Sequence, residues 1–305
     1  RFLASRALRL FPVYWAVVLL TLGTSLAARA VTGSWGRLDP WLVDGGQLHT
    51  ATKAILATVN VVLFGQDALM FTGITPDGGL RLVKDLDTGS PAVHQFLLVP
   101  QAWTLGVEMS FYLLAPLILR WSTPAMLALL ASSLCLRAWL AVVWGLSHDP
   151  WTYRFFPSEL AVFLLGSLAF RIYASSDQRM RSTRPGLVAM AAMTVIIGAF
   201  PLLTSAAASW HELLLWTVYG LFFLLLPAIF RATRTSRLDS AIGELSYPLY
   251  ICHMLVIWVV RSTLVPLGLG AWLGEFAVVG SLALAALLTR VIVLPMERVR
   301  RAFST

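Results

Sequence analysis

The stretch QAWTLGVEMSFYLLAPLIL, Gln101 to Leu119, carries the spacing that most invites chemistry: Thr104, Glu108 and Tyr112 recur at i, i+4 and i+8 and form one polar stripe on a helix. A charged side chain in the middle of a bilayer costs roughly 3 kcal/mol on insertion scales, so an ionisable group in a span is by default a functional candidate facing protein or water. The competing reading of Glu108 is a carboxylate held for packing alone, with Arg137 and Arg290 as intramembrane partners. Arg290 could equally snorkel to an interface. On another face, Gly106 and Ser110 form a small-xxx-small pair, which lets a neighbouring helix approach closely. Trp103 fits an interfacial belt or a packing role.

Two other stretches offer chemistry. In SRALRLFPVYW, Arg6 and Arg9 stand one helical turn apart and make a fork-like anion clamp suited to phosphate or diphosphate. An ordinary basic flank of a span accounts for the same pair equally well. Pro12 and Tyr14 follow and add little by themselves. In GELSYPLYICHMLVIW, Ser246, Tyr250 and His253 share one helical face, with Tyr247 beside them. A histidine there can act as base, donor or ligand, or serve as a structural hydrogen-bonding residue. Pro248 is expected in the first turn of that helix, which would make Ser246 a cap. Glu159 reads as an interfacial cap, and His49, His94, His148 and His211 as solvated loop residues.

The elements that must position these residues are set by composition. Of 305 residues, 58% are hydrophobic and 12% charged, and the mean hydropathy is +0.77. Such a chain is a polytopic membrane protein, all-α. Twelve Trp and seven Tyr suit interfacial belts, while 15 Pro and 21 Gly are tolerable in spans whose neighbours satisfy the freed backbone. The net charge of +8 comes in short arginine clusters beside apolar runs, which argues for topology and against nucleic acid. Cys135 and Cys252 fall in apolar runs and read as packing residues, so neither a disulfide nor a metal site is expected.

About eight segments are apolar and long enough to cross: 10–30, 97–119, 124–146, 156–173, 187–205, 211–230, 242–261 and 272–294. The run Ala51 to Phe71 is interrupted by Asn60, Gly65, Gln66 and Asp67 and reads better as an interfacial or re-entrant helix. With a cytoplasmic N-terminus, alternation puts Arg120, Arg171, Arg179/Arg181/Arg184, Arg231/Arg234/Arg237 and Arg298/Arg300/Arg301 on the cytoplasmic side. A ninth crossing at Ala51 would invert every later cluster. Residues 31–95 then form one long extracytoplasmic loop rich in turn residues, within a single membrane-embedded domain over 1–305.

No Walker-type loop, HExxH pair, GxSxG elbow or CxxC pair is present, so soluble-enzyme chemistries are not supported. Taken in order, SRALRLFPVYW, WTLGVEMSFYLLAP, FFPSELAVFLLG and GELSYPLYICHMLVIW resemble acyltransferase family 3, the integral-membrane O-acyltransferases that decorate cell-surface polysaccharides. The second and fourth motifs are the more specific. The resemblance implies about ten spans in a bacterial-type cytoplasmic membrane. It also implies acyl-CoA, most often acetyl-CoA, as the cytoplasmic donor, a surface or lipid-linked glycan as acceptor, and no metal.

Residue by residue, Arg6 and Arg9 match the family's paired arginines at the donor mouth. Trp103, Glu108, Phe111 and Tyr112 match its W-x-L-x-x-E-x-x-F-Y helix, and Ser246, Tyr247, Tyr250 and His253 its S-Y-x-x-Y-x-x-H helix. The resemblance thus gives Glu108, Tyr112 and His253 as candidate catalytic residues, with Tyr14, Trp103, Phe111, Ser246, Tyr247 and Tyr250 around the cavity. The family's first span carries an Arg and a His used in transfer. This chain starts at Arg1, not Met, in register with the family's third span, so the two preceding helices and their transfer His are expected to be missing, and either His253 substitutes for that His or the piece is inactive. The rival classes are a proton-coupled transporter or flippase, which would show inverted repeats, and a scaffold without chemistry. No internal repeat is visible.

Overall fold

The computed structural model describes residues 1–89, 91–176, 183–206 and 210–304. The protein is a polytopic bundle of α-helices with almost no strand. Among the described residues, seven helices are long and apolar enough to cross a membrane. They are α1 (Phe2–Thr32), α5 (Thr123–Trp144), α6 (Phe156–Ser175), α7 (Arg184–Ala206), α8 (His211–Thr233), α9 (Arg237–Leu264) and the run Gly270–Arg300. The last run joins α10 (Leu273–Leu288) to α11 (Leu294–Ser304) through a π-helical turn, Thr289–Val293. Their outer faces keep Leu19, Val142, Leu224 and Val279 exposed, an arrangement that suits lipid and not water.

The expected span 97–119 differs. Its helix, α4, covers only Trp103–Ile118, about 24 Å of rise. The preceding chain runs through the 3₁₀ turn Val93–Phe96, an extended link and a second 3₁₀ turn, Pro100–Ala102. Pro100 cannot donate to a longer helix, and Asn60 Oδ1 takes the Leu98 N–H at 2.8 Å, holding the link extended.

The run Ala51 to Phe71 is also not one helix. The helix α2 (Thr50–Val62) is too short to cross, and Leu63 (φ 63°) and Gly65 (φ 86°) turn the chain into the one-turn helix α3 (Gln66–Leu69). Around it, residues 31–95 hold more structure than their turn residues foretell. The strands β1 (Thr72–Ile74) and β2 (Leu80–Leu82) pair antiparallel. Leu48, Leu56, Leu69, Met70, Val93, Phe96 and Leu97 close a small hydrophobic core.

By packing the chain divides into two compact units: Arg1–Pro116 with Arg137–Ser158 and Gly243–Thr305, and Leu117–Leu136 with Glu159–Ile242. The first unit contains every residue of the candidate site. Its core gathers Leu10, Val13, Tyr14 and Val17 of α1, Leu105 of α4, Ile251, Cys252 and Leu255 of α9, and Ala285 and Leu288 of α10. These follow i, i+3/i+4 spacing, the inward stripe of each helix. In the second unit Arg171 caps Leu119 and Trp121 carbonyls at 3.1 and 2.6 Å, Arg234 reaches Tyr173 Oη at 2.6 Å and Arg231 donates to Ser176. Of the expected basic clusters, Arg179 and Arg181 lie outside the described residues.

Candidate active site

At the start of α1 the sequence brings two aromatic faces to a cation. Arg6 is half-buried, its guanidinium 5.0 Å from the ring centroid of Tyr112 and 5.3 Å from that of Phe2, which meets Tyr112 edge-on at 5.8 Å. The Tyr112 hydroxyl donates to Glu108 Oε1, one helical turn back on α4. Arg9 is exposed one turn along α1, and its charge and that of Arg6 both reach Tyr112. On α9, Tyr247 lies within electrostatic reach of Glu108 and Arg9 and donates to the Leu10 carbonyl at 2.6 Å. Thus Arg6, Arg9, Glu108, Tyr112 and Tyr247, drawn from three helices, form one cluster. Among the described residues no carboxylate pairs with Arg6 or Arg9. Stacking occupies the flat face of the Arg6 guanidinium and leaves its N–H edge open to an oxyanion.

The expected stripe of Thr104, Glu108 and Tyr112 divides between two partners. Thr104 turns to α9: its Oγ1 lies 3.0 Å from Tyr250 Oη, and that hydroxyl donates to the Gln101 carbonyl at 3.0 Å. The Gln101 amide donates to the Ile251 carbonyl at 2.5 Å. These bonds dock the start of α4 on α9.

Because α9 begins at Arg237, Pro248 is not in its first turn and Ser246 is not its cap. Ser246 bonds back to the Gly243 carbonyl at 2.8 Å. His253 holds the Tyr250 carbonyl at 2.6 Å through Nδ1, so that nitrogen carries the proton and Nε2 is the other ring position of the neutral tautomer. With Ser246 and Tyr250 it lines an apolar groove of about 550 Å³ against Ala277, Val278, Ser281 and Leu282 of α10. Among the described residues no hydrogen bond or ion pair joins His253 to Glu108.

The structure places Tyr14 in the core instead: it is fully buried, donating to the Asn60 carbonyl at 2.6 Å and accepting from Gln66 Nε2 at 2.9 Å, so it clamps α1 to α2 and α3 and lines none of the cavities described for this protein. Phe111 is buried beside Tyr112, their rings 6.3 Å apart. Trp103 packs on the loop core with the Arg154 guanidinium 4.3 Å above its ring. Arg137 donates to the Thr152 carbonyl and Arg290 is exposed, so neither is the partner of Glu108. The close approach permitted by Gly106 is used by Asp67 of the one-turn helix α3, not by another membrane-spanning helix. Cys252 is buried, whereas Cys135 is exposed on α5. Three loop histidines face carboxylates, His49 with Asp77 at 3.7 Å, His94 with Asp87 at 3.7 Å and His148 with Asp85 at 2.9 Å.

Sequence reasoning passed over Gln101, Asn60, Gln66, Asp67 and Arg154 as site-building residues. The signal was present for Asn60, Gln66 and Asp67: polar groups that break an apolar run are affordable only where partners await them. Burial pushes the Asp67 carboxyl above its ordinary range, against backbone N–H bonds from its own and the next residue. Burial works against the charge of Arg154, but the hydrogen bonds and charge of Asp149 prevail and raise its pKa. Among the described residues, no three His, Cys, Asp or Glu side chains are grouped to hold a metal ion.

A family model described as an acyltransferase domain matches residues 1–290. An uncharacterized protein of Aquifex aeolicus (strain VF5) is 23% identical over 170 residues, 53% of this chain and 72% of that protein. No solved structure matches.

Proposed function

Since the chain belongs to the acyltransferase domain family and is a membrane acyltransferase, we propose that it moves an acetyl or other acyl group from acyl-CoA to a hydroxyl of a cell-surface or lipid-linked glycan. In this reaction the hydroxyl oxygen attacks the thioester carbonyl carbon, the C–S bond breaks, and coenzyme A leaves with the proton that the hydroxyl gives up. Arg6 and Arg9 hold a phosphate of the donor on their open N–H edges at the cytoplasmic end of α1.

Glu108, fixed by the Tyr112 hydroxyl, orients the reacting groups beside that mouth. Tyr247 holds α9 against α1 next to it. His253, whose Nε2 is the basic ring position when Nδ1 is protonated, is the candidate proton acceptor on α9. The α1 helix, about 46 Å long, exceeds the roughly 30 Å of bilayer hydrocarbon, so its two ends can stand at opposite faces, as a reaction with a cytoplasmic donor and an acceptor on the far side requires.

The observation that carries this reading is the placement of Arg6 over Tyr112, the residue that donates to Glu108: motif residues a hundred positions apart converge on one cationic mouth with a carboxylate behind it. The test is transfer of labelled acetyl from acetyl-CoA by the purified protein in envelope membranes, with Glu108→Gln as comparison. Label on glycan from the parent and not from the variant supports the reading; equal transfer by both removes Glu108 from it.

A further inference from the structure

At the other end of α1 and α9 lies a second concentration of positive charge. Arg37, from the 3₁₀ turn Gly36–Leu38, and Arg261 of α9 both line a cavity of about 220 Å³, whose walls include Val17 and Thr21 of α1, Leu98–Gln101, and Ile251, Met254 and Trp258 of α9. No carboxylate lines it. Asp39, the acid nearest Arg37 in sequence, already accepts from Ser34 Oγ at 2.8 Å and the Trp35 N–H at 2.9 Å. Of the Arg37 donors, Nη2 meets the Leu97 carbonyl at 3.0 Å, and Arg261 has no ion pair among the described residues.

The placement of Arg37 is built in. Gly36 has φ 57°, and a Cβ on it would stand 2.3 Å from the Trp258 ring, so only glycine lets this turn lie on α9. Burial depresses the Arg37 pKa, the sign of a guanidinium that has lost water without gaining an anion.

Gln101 supplies the third element. Its side chain is nine-tenths buried at the cavity wall. The two groups beside its amide nitrogen, the Ile251 and Tyr250 carbonyls at 2.5 and 3.5 Å, are both acceptors, which fixes the nitrogen toward them. Oε1 is therefore the free end, and it has no hydrogen-bond partner among the described residues. One cavity lined by two guanidiniums without an ion pair and by a residue whose buried amide oxygen lacks a partner calls for a ligand that carries negative oxygens and a hydroxyl donor.

We infer that this cavity binds the acceptor through an oxyanion, phosphate or carboxylate, held by Arg37 and Arg261, with an acceptor hydroxyl donating to Gln101 Oε1. The inference rests on the acyltransfer reading and narrows its acceptor to an anionic glycan. The volume lies below the roughly 300–1,000 Å³ of pockets for drug-sized ligands, so one sugar or head group enters and the rest of the glycan stays outside.

The experiment measures binding of glucose 1-phosphate, glucuronate and glucose to the full chain in phosphatidylcholine nanodiscs, for the parent, Arg261→Gln and Arg37→Gln. Arg261 is exposed and ties no element, so its variant remains folded even if Arg37→Gln does not. The inference expects saturable binding of one or both anionic sugars, none of glucose, and about tenfold or greater loss in Arg261→Gln. Preference for the phosphate or the carboxylate sugar names the group. Repetition in phosphatidylglycerol nanodiscs tests a lipid source: loss of sugar binding there means a lipid headgroup takes the site, and the acceptor assignment is withdrawn. No anionic preference, or unchanged binding in Arg261→Gln with an unaltered thermal transition, overturns it. Acetyl-CoA binding, measured in parallel on the parent, reports separately on the acyltransfer reading, so either can fail alone.

Discussion

The guanidinium of Arg6 lies 5.0 Å from the ring centroid of Tyr112, and the hydroxyl of that same ring donates to Glu108. One tyrosine therefore presents its face to the cation and its edge oxygen to the carboxylate. The two functions separate by mutation. Tyr112→Phe keeps the ring under Arg6 and removes the charge-assisted hydrogen bond, so acyl transfer falls about tenfold to a hundredfold. Acetyl-CoA affinity changes little in that variant, and Tyr112→Ala loses both. Steady-state kinetics with the kcat and KM effects resolved checks the split.

Tyr14→Phe is a stability change, not a catalytic one. It strands the Asn60 carbonyl and one of the two Gln66 amide N–H groups, the other keeping the Val59 carbonyl at 3.1 Å, in a fully buried site, at a cost of about 1–3 kcal/mol. Thermal unfolding in detergent moves down, while acetyl-CoA affinity of the folded protein stays at the parent value.

Gly106→Ala drives a methyl to within 2.6 Å of Asp67 Oδ1 and 2.9 Å of the Asp67 backbone nitrogen. The backbone of α3 cannot yield as a flexible side chain would, so the variant loses stability and the start of α4 shifts. Lower yield and a lower unfolding midpoint are expected; a midpoint equal to the parent's contradicts the packing.

Asp67 gives a pH signature. Its folded pKa is raised by burial, so the neutral carboxyl is the form the fold favours. That contribution is whole below the ordinary 3.8 and is lost as pH rises through the raised value. Asp67→Asn, neutral throughout, is therefore more stable than the parent at neutral pH. The gap closes as the pH falls toward 3.8, and unfolding midpoints across that range read it directly.

Arg154→Lys separates charge from shape. Arg154 meets Asp149 with Nε at 2.6 Å and Nη2 at 2.9 Å while covering the Trp103 ring, and a lysine keeps the charge without the fork or the stacked plane. A loss of about 1–2 kcal/mol is expected from unfolding, with an altered Trp fluorescence.

The sequence made the membrane class and most helices legible, and it singled out Arg6, Glu108 and Tyr112, which the structure brings together, because long apolar runs and an ionisable group inside one are rare patterns with few physical explanations. Boundaries were less legible. The helix holding His253 starts five residues before the expected 242, since a proline tolerated within α9 looked like a first-turn proline. The outer part of 97–119 is extended because Asn60 takes a backbone N–H that a helix would have used, a long-range bond that no local pattern announces. The clamp role of Tyr14 and the wall formed by Gln101 depend likewise on partners 46 and 150 positions away. The shared face of Ser246, Tyr250 and His253 was readable; that it turns toward α10, apart from Glu108, was not.

The most direct test of the central claim is acetyl-CoA binding to the purified protein, comparing the parent with Arg6→Ala/Arg9→Ala at low and moderate salt. The donor-mouth account predicts saturable binding by the parent that weakens with salt and a loss of about tenfold or more in the double variant. A folded parent that does not bind, or a double variant that binds as tightly as the parent, contradicts it.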